Sequence, residues 1–276
     1  MLLENTLDVL EHYGIRPRKG YGQNFLVDQE VLDDIVNSAD LKKNDKVLEI
    51  GPGLGVLTER LAADAAKILA IEADPLMRKI LVPKFKKILN VEIMAADALQ
   101  LSSGDISEKL GDDYKIVANL PYNITGKFLR KFLTMSPLPK SLVLMLQKEV
   151  AERIVARSGK MSLLAVAVQI YGEPKIVRVV ASESFYPQPE VKSAIIKIVR
   201  RPEDFFVKQG VDAKKFWQIV RIGFSSRRKQ LQNNLSAGLK IEKDKIIKVL
   251  NKAKIAEKAR AQELFLNDWI RLVKMF

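Results

Sequence analysis

Residues 119–122 read Asn-Leu-Pro-Tyr and directly follow the apolar run at 115–118. An amino group on a nucleobase is a poor nucleophile, because its lone pair is delocalised into the ring. The side-chain oxygen of Asn119 and the backbone carbonyl of Leu120 can accept its two N–H bonds, which favours a pyramidal nitrogen. Pro121 holds the turn, and Tyr122 offers a face on which an extruded base can stack. The tetrapeptide alone also fits an ordinary turn, since asparagine and proline are both turn residues.

A glycine loop lies earlier in the chain, between a strand-like and a helix-like segment, with glycines at 51, 53 and 55. Gly51 and Gly53 let the backbone turn tightly and approach a ligand. A dinucleotide fingerprint needs a small residue at position 56, where this chain has Val56. Glu49 would repel a pyrophosphate at this position but would attract a cationic group. The loop therefore predicts S-adenosylmethionine, which carries a sulfonium and an ammonium and no phosphate.

Two further carboxylates end the next two apolar runs. Glu72 stands 21 residues after Gly51, where a carboxylate can accept both ribose hydroxyls. Asp97 is placed to accept from the exocyclic amine of an adenine. Each acid by itself also fits a loop or a helix cap. Their occurrence in order after the glycine loop favours a cofactor site, and with it the amine interpretation of residues 119–122.

Seven β-like runs must position these residues, at 46–50, 68–72, 91–97, 115–120, 141–147, 175–181 and 193–199. The first five are nearly continuous apolar runs, which is typical of strands buried on both faces of a parallel sheet. Segments of helical length, such as 54–65, 75–87 and 150–157, separate most of the runs. The alternation predicts a doubly wound α/β sheet. The last two runs are joined by too few residues for a helical crossover, so we expect them to pair antiparallel.

The strand pattern stops after residue 200, and the remainder predicts helices at 214–224, 226–235, 243–251 and 256–265 and at the C-terminus. We therefore predict two domains. Residues 1–203 hold an N-terminal arm and the catalytic sheet, and residues 204–276 form a small all-α domain.

The composition excludes several kinds of chemistry. The chain has 276 residues, no cysteine and one histidine, His12, so thiolate catalysis, disulfides, iron–sulfur clusters and multi-histidine metal sites are excluded. No apolar stretch reaches the about 18–20 residues that span a bilayer, and residues 1–10 have no signal pattern. We expect a cytoplasmic protein that uses no metal and does not bind a membrane.

The net charge is +13, which suggests a polyanionic partner. The excess is concentrated near the C-terminus. Residues 201–276 hold 18 Lys and Arg against 8 Asp and Glu, whereas residues 1–200 hold 28 against 25. A solvated, lysine-rich helical domain would show the same charge.

With these residues in place, the chain resembles the KsgA-type ribosomal RNA adenine dimethyltransferases, which make N6,N6-dimethyladenosine in small-subunit rRNA. The resemblance covers nearly the whole chain. Its motifs occur in family order and read GQNFL (22–26), EIGPGLGVLT (49–58), IEAD (71–74), ADAL (96–99), NLPYNI (119–124), LMLQKEVAERI (144–154), SFYPQPEVKSAI (184–195) and GFSSRRKQLQNNL (223–235).

The resemblance implies a fold and a set of site residues. The fold is a Rossmann-like S-adenosylmethionine-dependent methyltransferase sheet of seven strands with a helical C-terminal domain. The cofactor would be held by residues from five motifs: Asn24, Leu26, Gly51, Gly53, Glu72, Asp97 and Asn119. The target adenine would be held by Asn119, Leu120, Pro121 and Tyr122, with Phe185 as a second aromatic wall. A core aromatic is the alternative for Phe185.

RNA would be bound at both ends of the chain. Residues 16–25 contain Arg16, Arg18 and Lys19, and we interpret them as a mobile arm that becomes ordered over cofactor and RNA. Near the C-terminus, Arg227, Arg228 and Lys229 would contact phosphates. Gln230 and Gln232 stand where the family often has Thr and Arg, so one expected phosphate contact is missing. Residues 125–127, Thr-Gly-Lys, also depart from the Ser/Thr-Pro that often follows NLPYNI.

The resemblance implies a monomeric enzyme that methylates N6 of two adjacent adenosines in a hairpin loop near the 3′ end of small-subunit rRNA, on naked RNA or a pre-30S-type particle. Three alternatives remain: a large-subunit rRNA adenine methyltransferase of the same fold, a non-catalytic ribosome-assembly factor, and a DNA adenine methyltransferase. The last usually has a second proline in place of Leu120. A nicotinamide dehydrogenase is disfavoured by Val56.

Overall fold

A computed structural model of the protein describes residues 2–201 and 204–276. In chain order the strands are β1 Phe25–Leu26, β2 Lys46–Ile50, β3 Lys67–Glu72, β4 Val91–Ala95, β5 Lys115–Asn119, β6 Ser141–Gln147, β7 Gly172–Val180, β8 Phe185–Tyr186 and β9 Ser193–Arg200. The helices are α1 Leu2–His12, α2 Gln29–Ser38, α3 Val56–Ala62, α4 Pro75–Phe85, α5 Ser103–Leu110, α6 Thr125–Phe132, α7 Lys148–Ile154, α8 Leu163–Tyr171, α9 Phe205–Gln209, α10 Ala213–Gly223, α11 Leu231–Leu239, α12 Lys243–Lys252 and α13 Leu266–Val273.

All seven predicted strands are present and form one sheet in the order β4-β3-β2-β5-β6-β9-β7. Strands β2 to β6 run parallel, and β9 lies antiparallel to β6. The last two strands are neighbours at one edge, as predicted. The two-residue strands β1 and β8 form a separate antiparallel pair. The parallel strands β2, β3, β5 and β6 are mostly buried, because helices cover both faces of such a sheet, whereas β4 at the edge is only partly buried.

The order of the strands explains where the site lies. The chain reverses direction along the sheet between β2 and β5, which are direct neighbours. Ligands in open α/β sheets bind beyond the carboxyl ends of the strands, at this kind of reversal. The predicted site residues Glu49, Glu72 and Asn119 stand within one or two residues of the ends of β2, β3 and β5.

The chain divides into two compact units. The first comprises the residues up to Ala151 together with Pro174–Arg200, and the second comprises Glu152–Glu173 and Arg201–Phe276. The predicted division at 203/204 differs from this by the segment Glu152–Glu173. That segment groups with the C-terminal helices because α8 buries Val166 and its neighbours in the same apolar core as Phe216 and Trp269.

Two helix predictions in the C-terminal region were wrong. Residues 256–265 form turns and a short 3-10 helix, because the buried residues Ile255, Ala259, Ala261 and Leu264 are not spaced for one helical face. Helix α11 begins at Leu231, five residues later than predicted. The residues before it form a turn that the buried Asn234 side chain holds by donating to the carbonyls of Gly223 and Ser226, at 2.6 and 3.0 Å. Among the described residues, no helix is long and apolar enough to cross a membrane.

Candidate functional site

A cavity of about 280 Å³ lies beyond the carboxyl ends of β2, β3, β4 and β5. Five stretches of the first unit form most of its lining: residues 20–26, the glycine loop, the end of β3, the residues after β4, and residues 119–124. The structure thus brings together all seven residues predicted to hold the cofactor, Asn24, Leu26, Gly51, Gly53, Glu72, Asp97 and Asn119. Leu120, Pro121 and Tyr122 line the same cavity.

The lining of the cavity is acidic, although the chain carries a net charge of +13. Glu49, Glu72 and Asp97 all line it, and among the described residues that surround it there is no lysine, arginine or histidine. A phosphate group would find no cationic side chain in this lining, whereas a cationic ligand would find carboxylates with which to pair. The charges therefore fit the sulfonium and ammonium groups of S-adenosylmethionine.

Glu49 is the residue most in need of a cationic partner. Its side chain is buried, and its Oε2 atom accepts no hydrogen bond from the described part of the chain. Burial raises the pKa of this carboxyl to about 8. A buried acceptor without a partner is costly in a folded protein. A ligand ammonium would supply the missing donor.

Glu72 and Asp97 differ in burial and in the number of hydrogen bonds that they accept within the protein. Glu72 is buried and accepts the backbone N–H groups of Asp74 at 2.8 Å and Gly53 at 3.3 Å. Burial raises its pKa, against the effect of these hydrogen bonds. Asp97 is exposed, and its Oδ1 atom accepts from the N–H of Leu99 at 2.8 Å. Each acid keeps capacity to accept hydrogen bonds from ligand hydroxyl or amino groups.

Asn119 is oriented by the arm. Its Nδ2 atom donates to the backbone carbonyl of Asn24 at 3.2 Å, which leaves Oδ1 as the atom that can accept from a ligand. Leu120 donates its N–H to the carbonyl of Met145 at 3.0 Å. Its own carbonyl accepts none of the hydrogen bonds found among the described residues. Two neighbouring residues of the cavity lining therefore each keep an acceptor without a donor among the described residues.

Pro121 packs between the arm and the glycine loop. A Cβ atom placed on Gly22 would lie 3.2 Å from the Pro121 Cβ atom, and one on Gly51 would lie 3.6 Å from its Cδ atom. Both glycines also have positive φ, +64° and +66°, which disfavours any side chain there. The close approach of three chain segments keeps the turn at Pro121 in place.

The two aromatic residues predicted to hold the base lie in different surroundings. Tyr122 is half-buried and lines the cavity, and burial raises the pKa of its hydroxyl. That hydroxyl is 2.5 Å from the Oγ atom of Ser193. Phe185 is only 3% exposed, packs in the apolar core of the first unit and is not among the residues that line the cavity. The structure does not bring Phe185 to the site, and its role as a second wall stays a prediction.

The arm is more ordered than its sequence predicts. The guanidinium of Arg18 binds the buried carboxylate of Asp74 and stacks on Tyr21, with its Cζ atom 4.4 Å from the ring centroid. Gln23 donates to the same carboxylate at 2.7 Å. Arg18 thus has an ion-pair partner within the protein, and its contact with RNA stays a prediction. Arg16 is exposed, and the side chain of Lys19 lies outside the described part of the structure.

Arg227, Arg228 and Lys229 are all exposed, as an RNA contact requires. They lie in the turn before α11 and not on a helix as predicted. Their cationic groups have no partner among the ion pairs of the described residues, so they are available to an anion.

Several residues in or next to the site have no role predicted from the sequence. They include Tyr21, Gln23, Asp74 and Ser193. Gln23, Asp74 and Ser193 lie inside the motifs quoted above, yet their roles depend on partners 51 to 71 residues away in the chain. A single sequence carries no signal for such pairs.

Comparison with known proteins identifies the family of the chain. A family model described as ribosomal RNA adenine dimethylase matches residues 14–276. A protein of Dehalococcoides mccartyi named ribosomal RNA small subunit methyltransferase A is 43% identical over 277 residues, which cover all of this chain and 94% of the relative. A dimethyladenosine transferase structure from Plasmodium falciparum has a TM-score of 0.75 at 30% identity, over 90% of this chain and 95% of that one. The 23S rRNA methyltransferase ErmE has a TM-score of 0.74 at 26% identity, over 91% and 99%.

Proposed function

The chain belongs to the ribosomal RNA adenine dimethylase family, which uses S-adenosylmethionine, and on that premise we propose its substrate and the role of each site residue. The substrate is a hairpin loop near the 3′ end of small-subunit rRNA, in which N6 of two adjacent adenosines is dimethylated. Relatives at 37–45% identity that carry the name small subunit methyltransferase A support this choice of subunit.

The observation that carries the proposal is the pair of free acceptors at Asn119 and Leu120. The amide nitrogen of Asn119 is occupied by Asn24, so its oxygen faces the ligand. This oxygen and the Leu120 carbonyl accept the two N–H groups of the adenine amine. The nitrogen becomes pyramidal, and its lone pair points at the methyl donor. Positioning of this kind can supply most of the rate acceleration.

S-Adenosylmethionine supplies, when bound, a methyl group on a positively charged sulfur that leaves as a neutral thioether. Glu72 holds the ribose hydroxyls, Asp97 accepts from the adenine amine of the cofactor, and Glu49 faces its ammonium. Asn24, Leu26, Gly51 and Gly53 complete the cavity. With the donor bound, the nitrogen held by Asn119 and Leu120 would accept the methyl group, the sulfur would leave as a neutral thioether, and the nitrogen would release its proton to water.

The target base must leave its stack to reach these acceptors. Tyr122 lines the cavity directly after them, and we propose that its ring stacks on the extruded adenine. Phe185 serves as the opposite wall in this proposal, which requires its ring to become accessible when RNA binds, because it is buried in the free protein.

RNA contact is assigned to Arg16 and Lys19 on the arm and to Arg227, Arg228 and Lys229 in the second unit. The exposure of Arg16 and of the three C-terminal cations supports this assignment. We further propose that the protein acts as a monomer in the cytoplasm, on a small-subunit particle. A purely non-catalytic assembly role is disfavoured because Asn119 and Tyr122 are intact and oriented toward the cavity.

Mass spectrometry of rRNA fragments tests the proposal, after incubation of unmethylated small and large subunits together with enzyme and labelled methyl donor. We expect dimethyladenosine at two adjacent positions near the 3′ end. The variant Asn119→Ala should lower the rate by roughly a hundredfold or more, because one of two positioned groups is lost, while RNA affinity is largely kept. Asn37→Ala, an exposed position on α2, is the matched control. Label in large-subunit rRNA would overturn the substrate, and full activity of Asn119→Ala would overturn the mechanism.

A further inference from the structure

Tyr122 is tethered at its hydroxyl end to a strand two positions away in the sheet. The tyrosine follows β5, whose last residue Asn119 pairs with Met145 of β6. Ser193 begins β9 and pairs with Gln147, the last residue of β6. The 2.5 Å hydrogen bond between the two side chains therefore passes over the last residue of β6. It lies at the carboxyl ends of the parallel strands, where the cavity also lies.

Ser193 is well suited to fix an aromatic ring. Its side chain is 0% exposed, so bulk water does not compete for the hydrogen bond with the tyrosine hydroxyl. It also lies in an eight-residue strand of which seven residues pair with β6, and this pairing fixes its position. Tyr122, in contrast, stands in a loop, and its ring is half-buried. The hydrogen bond to this strand therefore restricts the movement of the tyrosine ring.

We infer that Ser193 is a positioning residue for Tyr122 and that it acts chiefly on the second methyl transfer to each adenine. This inference rests on the proposed role of Tyr122 in stacking on the target base. The first transfer begins with two N–H groups on the amine, which both acceptors at Asn119 and Leu120 can hold. The monomethylated nitrogen keeps one N–H, so one acceptor loses its donor. Stacking then supplies a larger share of the binding, and the orientation of the ring matters more.

The test compares Ser193→Ala and Tyr122→Phe, each of which removes the hydrogen bond from one side. Unmethylated small subunits are incubated with each full-length variant, and N6-methyladenosine and N6,N6-dimethyladenosine are quantified over time. Loss of one neutral hydrogen bond predicts a roughly tenfold fall in the rate of the second transfer and a smaller fall in the first. Monomethyladenosine should therefore accumulate, while the Kd for S-adenosylmethionine stays within about twofold of the wild-type value.

A double variant separates positioning from a general structural effect. If Ser193 acts through the tyrosine hydroxyl, Ser193→Ala should cause no further loss in the Tyr122→Phe background. Ser141→Ala is the matched control, because Ser141 is also buried but lies at the opposite end of the β6–β9 pair, opposite Val199. Independent losses in the double variant, or an unchanged product ratio in Ser193→Ala, would overturn the inference.

A third variant distinguishes this inference from the proposed function. Tyr122→Ala removes the ring itself and should lower both transfers. Should Tyr122→Ala keep full activity, the proposed stacking role fails and the inference fails with it. Should Tyr122→Ala be inactive while Ser193→Ala and Tyr122→Phe resemble the wild type, only the inference is lost.

Discussion

At the scale of single residues, Glu49 has an electrostatic cost that a cationic ligand would remove. The carboxyl is buried, its Oε2 atom has no partner among the described residues, and its pKa rises to about 8 because burial disfavours the charged form. The nearby carboxylate of Glu72 raises this pKa further, and Lys84 lowers it. In the free protein the group is mostly protonated at neutral pH.

This pKa predicts how stability depends on pH. The folded-state pKa of about 8 exceeds the ordinary value of 4.5, so the stabilisation from a neutral Glu49 is complete below pH 4.5 and is lost as pH rises through 8. Relative to Glu49→Gln, the free wild-type protein should lose on the order of a few kcal/mol of unfolding free energy between pH 5 and pH 8.5. Urea unfolding of both proteins at the two pH values measures this difference.

The control is Glu59→Gln, because Glu59 is exposed and pairs with Lys84 on the same unit. Its difference from the wild type should change little over this range. Parallel pH profiles for the wild type and Glu49→Gln would show that Glu49 is ionised in the free protein. Glu49→Gln should also bind S-adenosylmethionine more weakly, since the ammonium loses a carboxylate partner.

At the scale of elements, one buried carboxylate binds two side chains of the arm next to the cavity. Asp74 caps α4 by accepting from the N–H of Leu76 at 2.7 Å, and it also binds the side chains of Arg18 and Gln23. Gln23 in turn accepts from the N–H of Arg18 at 2.8 Å. Because residues 20–26 line the cavity, these contacts complete one wall of the cofactor site.

Asp74→Asn should therefore loosen the arm. The amide has no charge for Arg18, and only one oxygen remains to accept hydrogen bonds. We expect faster trypsin cleavage after Arg18 and Lys19 in limited proteolysis, and a roughly tenfold higher Kd for S-adenosylmethionine, because apparent affinity falls with the population of the closed arm. Asp64→Asn, which removes an exposed ion pair with Lys43 elsewhere in the unit, should change neither quantity. Unchanged cleavage in Asp74→Asn would mean that other contacts hold the arm.

The strands were predictable and several connecting elements were not, for a physical reason. A strand buried on both faces needs a continuous apolar run, so β2, β3, β5 and β6 can be recognised in the sequence. The start of α11 and the irregular segment before α13 are set by contacts distant in sequence, such as the N–H of Leu231 bound to the carbonyl of Ala259 at 2.8 Å. Local periodicity contains no information about these contacts.

The residues of the site also fall into those that the sequence could predict and those that it could not. Glu49, Glu72 and Asn119 were predictable because the end of each strand locates one polar residue. The environment of Phe185 could not be predicted, because the burial of this residue depends on the pairing of β8 with β1. In that pair Phe185 lies opposite Leu26. The use of Arg18 within the protein was equally hidden, because Asp74 is 56 residues away.

At the scale of the whole molecule, the charges are separated by function. The cavity contains carboxylates and no basic side chain among the described residues, whereas residues 201–276 carry a surplus of ten positive charges. The cationic cofactor would therefore approach a part of the chain with carboxylates, and the polyanionic RNA a part with an excess of cationic side chains. Under the proposed function, this difference in charge would keep phosphate groups out of the cofactor cavity and would attract RNA to other parts of the chain.

Salt dependence tests this separation directly. Binding of RNA to cationic side chains releases counterions, so the logarithm of the affinity falls linearly with the logarithm of the salt concentration. The variant Arg227→Glu/Arg228→Glu should bind small-subunit rRNA fragments more weakly and lower the slope by about 2, since two phosphate contacts are lost. Its Kd for S-adenosylmethionine should not change. Lys214→Glu/Lys215→Glu makes the same change of charge at two exposed positions on α10. An equal effect of both pairs would mean that net charge, and not the turn before α11, determines RNA binding.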